Sequence, residues 1–468
     1  MTTTTTTAHD HGSWPRRAAR SWRRLRRRAL DVLDRALQAR PTRRITWAGP
    51  VPVTYVIWNA FSVGGTVRTV LRQAEGLLDQ GHQVTVVSVL RHPSQEHPFF
   101  DVDPRLNLEV LVDRHRLATT RTPLGRLRRW LDGKPRLTSQ FSIGREQQAS
   151  LLVDLTLLHR LIRARGVVVG TRVGVNLAIA RFAHPRATKV AQEHLHLDHY
   201  ERAVRSALLR HAPRLDAIAC LTEADANTYR DALGDDAPTV IVLPNPIPDQ
   251  LPRPASRQRP RIVSVGRLAA SKGFDQLITA FAQVADAHPD WELRIVGSGP
   301  WRGRLEEQVR GLGLEDRITI APETKDVAGE LAAASVFGLS ARHEGFGIVL
   351  LEAMAAGLPV VSMASPQGPR ELLRHERNAL VTPPGDVAAF AGQLDRLLRD
   401  PVLQGQLAHA GRRFVTRFTT STITARWSQL LEELARGRPS PTVTPADRSG
   451  AHRRRPGSRR GSPVASAG

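Results

Sequence analysis

Cysteine is almost missing from this chain of 468 residues, where Cys220 stands alone. One thiol cannot close a disulfide framework or make a cysteine-based zinc site. Such usage fits a reducing compartment. Lysine is nearly as scarce: Lys134, Lys189, Lys272 and Lys325 are set against 63 arginines. So uniform a preference reads as a compositional habit more than as function. No run of 18 or more apolar residues occurs, so no membrane-spanning helix is expected. The opening stretch MTTTTTTAHDHGSW lacks the apolar centre of a signal peptide. These absences lead to the expectation of a cytoplasmic chain.

What is present is a sizeable apolar fraction, 41%, enough for a real core, and a net charge of +23. The charge is unevenly spread. Residues 1–44 hold twelve arginines against three aspartates, and residues 437–468 hold seven against one. The body between them therefore carries only about a third of the excess. A basic chain can seek nucleic acid or anionic lipid, but most of this charge sits in tails that look separable. The first 13 residues and the last 32 are expected to be disordered from their composition. Residues 15–39 read as a basic helix with an apolar stripe of Trp22, Leu25, Ala29, Leu30, Val32, Leu33 and Leu37. It is either a peripheral contact with an anionic membrane or an extension lying on the body.

Between the tails, apolar runs alternate with amphipathic segments. Val53–Asn59 reads as a strand, Thr66–Gln80 as a helix and Val84–Leu90 as the next strand, a βαβ unit. Six prolines within Pro244–Pro260 mark an interdomain linker. After it, strands are expected at Arg261–Val265, Glu292–Val296, Arg317–Ile320, Val336–Leu339 and Val360–Ser362. The expected class is α/β, with two Rossmann-like, doubly wound parallel-sheet domains facing a cleft. The divisions are a basic extension (1–44), an N-terminal domain (45–250), a C-terminal domain (251–436) and a basic tail (437–468).

Three segments carry chemistry. In Ala341–Ser362 (ARHEGFGIVLLEAMAAGLPVVS), Gly345 and Gly347 let backbone approach a ligand, and a helix starts near Gly347. The N–H groups around Gly347, Ile348 and Val349 would face an anion such as a diphosphate. Glu344 lies in the loop and Glu352 within the helix, so two carboxylates could grip hydroxyls at the two ends of an extended ligand. In Val263–Phe274 (VSVGRLAASKGF), Arg267 and Lys272 flank a loop at a strand's carboxyl end, where cations suit a pyrophosphate leaving group. A lysine in so arginine-rich a chain suggests that a compact ammonium is needed there. The loop Ser62–Gly65 could approach phosphate or sugar from the other domain, or could simply be a tight turn.

Taken with Ile295–Pro300 (IVGSGP), these segments resemble the donor half of the family-four retaining glycosyltransferases of GT-B fold. The spacing of Glu344 and Glu352, with seven residues between, matches that family's signature. Ser365–Glu371 (SPQGPRE) and the run following Gly64 are similar to a subgroup acting on bacterial cell-surface polymers and exopolysaccharides, including teichoic-acid-type enzymes. The resemblance implies a glycosyltransferase moving a hexosyl group from a nucleotide diphosphate sugar, with uridine as the base by likeness to the subgroup and guanosine as the alternative, to a hydroxyl acceptor on a glycan, lipid-linked or polymer substrate. It implies that Arg267 and Lys272 hold the diphosphate, Glu352 the ribose and Glu344 the donor sugar. Phe346, Gly347, Ile348 and Val349 would offer backbone, and Gly65 would approach the diphosphate. His194 falls where relatives carry a sugar-facing histidine, with His196 two residues on. Relatives usually have a glycine after the strand ending at Ile320, where this chain has Ala321.

No cofactor is implied beyond the sugar-nucleotide co-substrate, and no metal. Asp101-Val102-Asp103 mimics a metal-binding Asp-x-Asp pair but reads as solvated carboxylates. An epimerase of the same fold is a second reading, which the two-glutamate signature disfavours. A nucleic-acid-binding protein is a third, without a supporting motif. The expected location is the cytoplasm, at the inner face of the cell membrane if residues 15–39 bind lipid.

Overall fold

The computed structural model describes residues 28–39, 47, 49–134, 150–366 and 368–436. Both expected terminal tails and residues 15–27 of the basic segment lie outside the described residues.

Two all-parallel sheets organise the chain. The first contains β1 (Val53–Ile57), β2 (Val84–Arg91), β3 (Asn107–Asp113), β4 (Val167–Gly170), β5 (Thr188–Gln192), β6 (Ala217–Cys220) and β7 (Thr239–Val242). Its order is β3-β2-β1-β4-β5-β6-β7. The second contains β8 (Arg261–Val265), β9 (Glu292–Val296), β10 (Ile318–Ala321), β11 (Val336–Leu339), β12 (Val360–Met363) and β13 (Leu380–Thr382), ordered β10-β9-β8-β11-β12-β13. Runs such as VTYVI in β1 and AIAC in β6 are buried at every position. That is what a parallel strand covered by helices on both faces requires. Each sheet accordingly has one apolar cluster on each side.

Strand order reverses direction between β1 and β4 and again between β8 and β11. Ligands of such sheets bind beyond the carboxyl ends of the strands at this switch point. The Ser62–Gly65 loop follows β1, the Arg267–Lys272 loop follows β8, and Glu344 follows β11. Local sequence thus delivers these segments to the switch points of both sheets.

The chain crosses between the lobes twice. The proline-rich linker is ordered in part by backbone bonds from Ile247 N to Phe418 O (2.8 Å) and from Thr420 N to Ile247 O (2.8 Å). The helix Thr420–Ala435 then returns to the first lobe, against the helix Gly65–Asp79. There Trp427 Nε1 donates to the Tyr55 hydroxyl (2.6 Å), and Ser428 Oγ lies 2.6 Å from His82 Nε2. Gly76 makes room for this crossing, since a Cβ there would come within 2.6 Å of the Thr424 side chain. The segment 251–436, expected as a single C-terminal domain, therefore ends in a helix that completes the core of the N-terminal lobe.

Of the basic stretch 15–39, residues 28–38 are helical. Leu30 and Leu37 are buried against the N-terminal lobe, Leu33 packs on the same cluster, and Asp34 pairs with Arg181 (3.2 Å) and Arg214 (2.7 Å). Leu30, Leu33 and Leu37 of the apolar stripe considered for lipid are thus taken up by packing on the body, while Val32 stays exposed.

Candidate functional site

The loop after β8 is shaped by Gly273, whose φ of +61° lies in the left-handed region. A side chain there would run into the Ser340 carbonyl after β11. The Ser340 hydroxyl donates to Gly273 O (2.7 Å) and Gln276 Nε2 donates to Ser340 O (3.0 Å), tying the β8 and β11 loops together. In consequence the Lys272 ammonium meets the Glu344 carboxylate directly. Its stem passes over Gly266, and Arg267 stands exposed one residue further on.

Glu344 in turn lies against Gly347, which takes φ +83° and precedes the helix Ile348–Ala355. Ile348 faces the other lobe: a Cβ on Gly65 would sit 4.0 Å from its side chain. Gly345 similarly faces the His194 carbonyl, at 3.2 Å for a Cβ placed on it. Four segments read separately from the sequence, around Gly65, His194, Lys272 and Glu344, thus converge on one junction between lobes. Val349 is half-buried beside them. Phe346 differs, because its ring is buried and points into the C-terminal core, 6.2 Å from Phe418. Any contact it makes with a ligand falls to its backbone.

Glu352 has partners that sequence reasoning did not name. Arg68 Nη2 approaches its two carboxylate oxygens at 2.8 and 2.9 Å, and Arg72 Nη1 lies 3.7 Å away. Both arginines project from the helix that begins at Gly65. Glu371 makes a second bridge between lobes, accepting from Glu223 N (2.9 Å) and Ala224 N (2.7 Å) at the start of the helix Glu223–Leu233. A carboxylate at a helix N-terminus is favoured by the unpaired amides and the dipole. The one available signal was the density of arginine and glutamate on these helices, which does not specify pairings.

The histidines divide. His196 caps a short turn, accepting from Asp198 N (3.2 Å), with its Nε2 3.2 Å from Asp225. That is a structural arrangement. His194 has an enclosed Nε2 with no hydrogen-bond partner among the described residues, and burial, with Arg172 nearby, pushes its pKa down to about 4. Glu193 beside it is buried and bonded to Tyr200 (2.7 Å) and Asn176 (2.7 Å), and burial raises its pKa. Among the described residues no group of three or more His, Cys, Asp or Glu is placed to hold a metal. Asp103 is taken up by Arg105.

These histidines make stability depend on pH. Burial and neighbouring arginines also lower the pKa of His211 to about 4. Between pH 6.5 and 4 the unfolded chain binds protons that folded His194 and His211 refuse, so stability must fall as pH falls. Urea denaturation at pH 7.5 and pH 5 is expected to show about 2 kcal/mol lost through buried His194 and less through His211, whose charge solvent partly screens. His194→Gln should remove its share of the difference.

Comparison with known proteins bears on this junction. Residues 249–414 match the family of glycosyl transferases group 1. The match takes in about a third of the chain and lies on the linker and the C-terminal lobe. The family is one of enzymes, of the transferase class. The group 1 match begins in the linker and takes in Arg267, Lys272, Glu344 and Glu352. An exopolysaccharide phosphotransferase of Streptomyces coelicolor is 34% identical over 401 residues, 83% of this chain, but the chain spans only 41% of that protein's length. A glycosyltransferase of Haemophilus influenzae without an assigned role is 27% identical over 388 residues, covering 81% of this chain and 99% of its own. Among solved structures, HepE of Anabaena in complex with UDP and glucose superposes with a TM-score of 0.64 at 19% identity, over 82% of this chain and 100% of that one. The two-lobed arrangement is the GT-B fold.

Proposed function

We propose that the chain is a retaining glycosyltransferase that transfers a hexosyl group from a UDP-linked sugar to a hydroxyl acceptor in cell-surface polysaccharide synthesis. The observation that carries this reading is the convergence of Lys272, Glu344 and the Gly347 helix start with Gly65 at the switch points of two facing sheets. Negative charge grows on the departing diphosphate. Lys272 and the exposed Arg267 supply fixed positive charge where it grows. The Gly347–Val349 amides and the Gly65 backbone add donors without bulk. Glu344, already ordered by Lys272, faces the donor sugar. Glu352, steadied by Arg68, takes the ribose hydroxyls. His194 stays neutral at physiological pH and can hydrogen-bond the sugar from the opposite lobe. The residues present suffice for leaving-group stabilisation without a divalent ion. Closure of the lobes over the donor keeps water from the activated sugar.

The phosphotransferase named among the relatives is more than twice as long as this chain, and the group 1 match favours glycosyl transfer here. A cytoplasmic site of action, where nucleotide sugars are made, belongs to the same proposal.

Thermal-shift screening across nucleotide diphosphate sugars tests it. A ligand at a hundred times its Kd stabilises the folded state by about 2.7 kcal/mol, so a UDP-sugar should raise Tm by several degrees. Glu352→Gln should reduce that shift, corresponding to about tenfold weaker binding. A broad panel with no shift and no hydrolysis would overturn the reading.

A further inference from the structure

The helix Pro123–Asp132 is inside out. Leu124, Leu127 and Trp130 are 64%, 53% and 57% exposed, three of the nine large hydrophobic side chains exposed among the described residues. At 3.6 residues per turn they fall within about 120° of arc. Arg128 and Arg129 of the same helix turn inward instead, beside Leu131, which packs on the core. Arg128 Nη2 donates to Leu111 O (3.1 Å), and Arg129 Nη1 donates to Leu117 O (2.7 Å) and to Thr120 O. Gly125 is buried beneath them. Ordinary amphipathic packing would reverse these faces.

The surroundings are strongly basic. Between residues 114 and 134 there are seven arginines and lysines and one acidic residue, Asp132, which Arg114 neutralises (2.8 Å). Arg121 and Arg126 are exposed, and the Lys134 ammonium sits 4.7 Å over the Trp130 ring, at the border of the apolar face. An apolar strip carrying tryptophan, flanked by long cationic side chains, matches the interface of an anionic bilayer. Aromatic and aliphatic groups enter the acyl boundary there, and guanidinium and ammonium heads remain among phosphates.

We propose that Leu124, Leu127 and Trp130 dock this chain on an anionic lipid surface. The face is distinct from the basic segment 15–39, whose described part is packed on the body. It also borders a cavity within the N-terminal lobe. This cavity of about 520 Å3 runs at the carboxyl ends of β2 and β3 and is lined by Leu124 at one side and Phe61, just before the Ser62–Gly65 loop, at another. The inference does not require sugar transfer, and its test reads binding alone.

The full-length protein is floated with vesicles of phosphatidylglycerol and phosphatidylcholine in equal parts, and with phosphatidylcholine alone. Binding to the anionic vesicles only, weakened by added salt, is expected. The triple substitution Leu124→Ser, Leu127→Ser, Trp130→Ser should lower partitioning by at least about tenfold with Tm unchanged. The pair Trp22→Ser, Leu25→Ser should leave most of the binding in place. The proposal fails if the triple variant floats like the parent, or if the parent ignores anionic vesicles. It fails equally if the triple substitution lowers Tm by several degrees, which would mean that the face is packed within the chain. Conversion of a dimer to a monomer by the same substitution would assign the face to a second copy and would also overturn it.

Discussion

Replacing Lys272 by alanine is expected to lower kcat for transfer from a UDP-sugar by about two to three orders of magnitude. The side chain sits on a loop held by Gly273 and Ser340, and its ammonium is partly exposed. Truncation should therefore disturb the fold little, and Tm should move by no more than a degree or two. Two effects could contribute to the loss. The diphosphate loses a positive charge as its own negative charge develops, and Glu344 loses its partner. The double variant Lys272→Ala, Glu344→Gln separates them. If the unpaired Glu344 were the main cause, the second substitution would restore much of the rate; if leaving-group stabilisation dominates, it would not. Lys272→Arg keeps the charge but offers a planar fork on a longer stem, so partial activity is expected. Steady-state kinetics with the donor identified by thermal shift measures all three. An unchanged kcat in Lys272→Ala would remove the basis of the proposed chemistry.

Trp427→Ala should be the most damaging substitution away from the cleft. Trp427 is wholly buried, in a helix that belongs by sequence to the C-terminal half and by contact to the N-terminal lobe. Removing an indole from such a core costs about 3–5 kcal/mol. The Tyr55 hydroxyl, still donating to Gln73 (3.3 Å), loses the indole donor as well. Because the helix Thr420–Ala435 straps the lobes together, the loss should appear as a separate, lower unfolding transition of the N-terminal lobe in calorimetry. Trp427→Phe, which retains most of the apolar volume but not the N–H, should recover the larger part. A single unshifted transition in Trp427→Ala would show that the strap does not support that lobe.

Strands buried on both faces were the most legible elements. Arg261–Val265, Glu292–Val296 and Val336–Leu339 occur where apolar runs between turn residues set them. β3, with the sequence NLEVLVD, escaped notice. It is a sheet edge, half-exposed along most of its length, so its residues alternate without a continuous apolar run. The segments that meet at the candidate site were legible to a similar degree. Glycines that permit close approach, a lysine among arginines and two spaced glutamates are local signals, and all lie in loops or helix starts at strand ends. The Arg68–Glu352 pair was not legible, because its members stand 284 residues apart and nothing in either segment specifies the other.

The segment 123–132 shows where the division lies. Its amino acids alone determine that a helix there has an apolar side and an arginine side, since side-chain spacing and backbone period do not depend on distant residues. Which side turns inward depends on carbonyls at Leu111, Leu117 and Thr120 awaiting donors beneath it, and those positions exist only once the strands and turns before it have assembled. Likewise the chain's own order of residues dictated two wound sheets with charged loops at their ends. Only the folded arrangement brought those loops face to face and returned the last helix to the first lobe, because contacts between remote segments are chosen by complementary surfaces and not by local pattern.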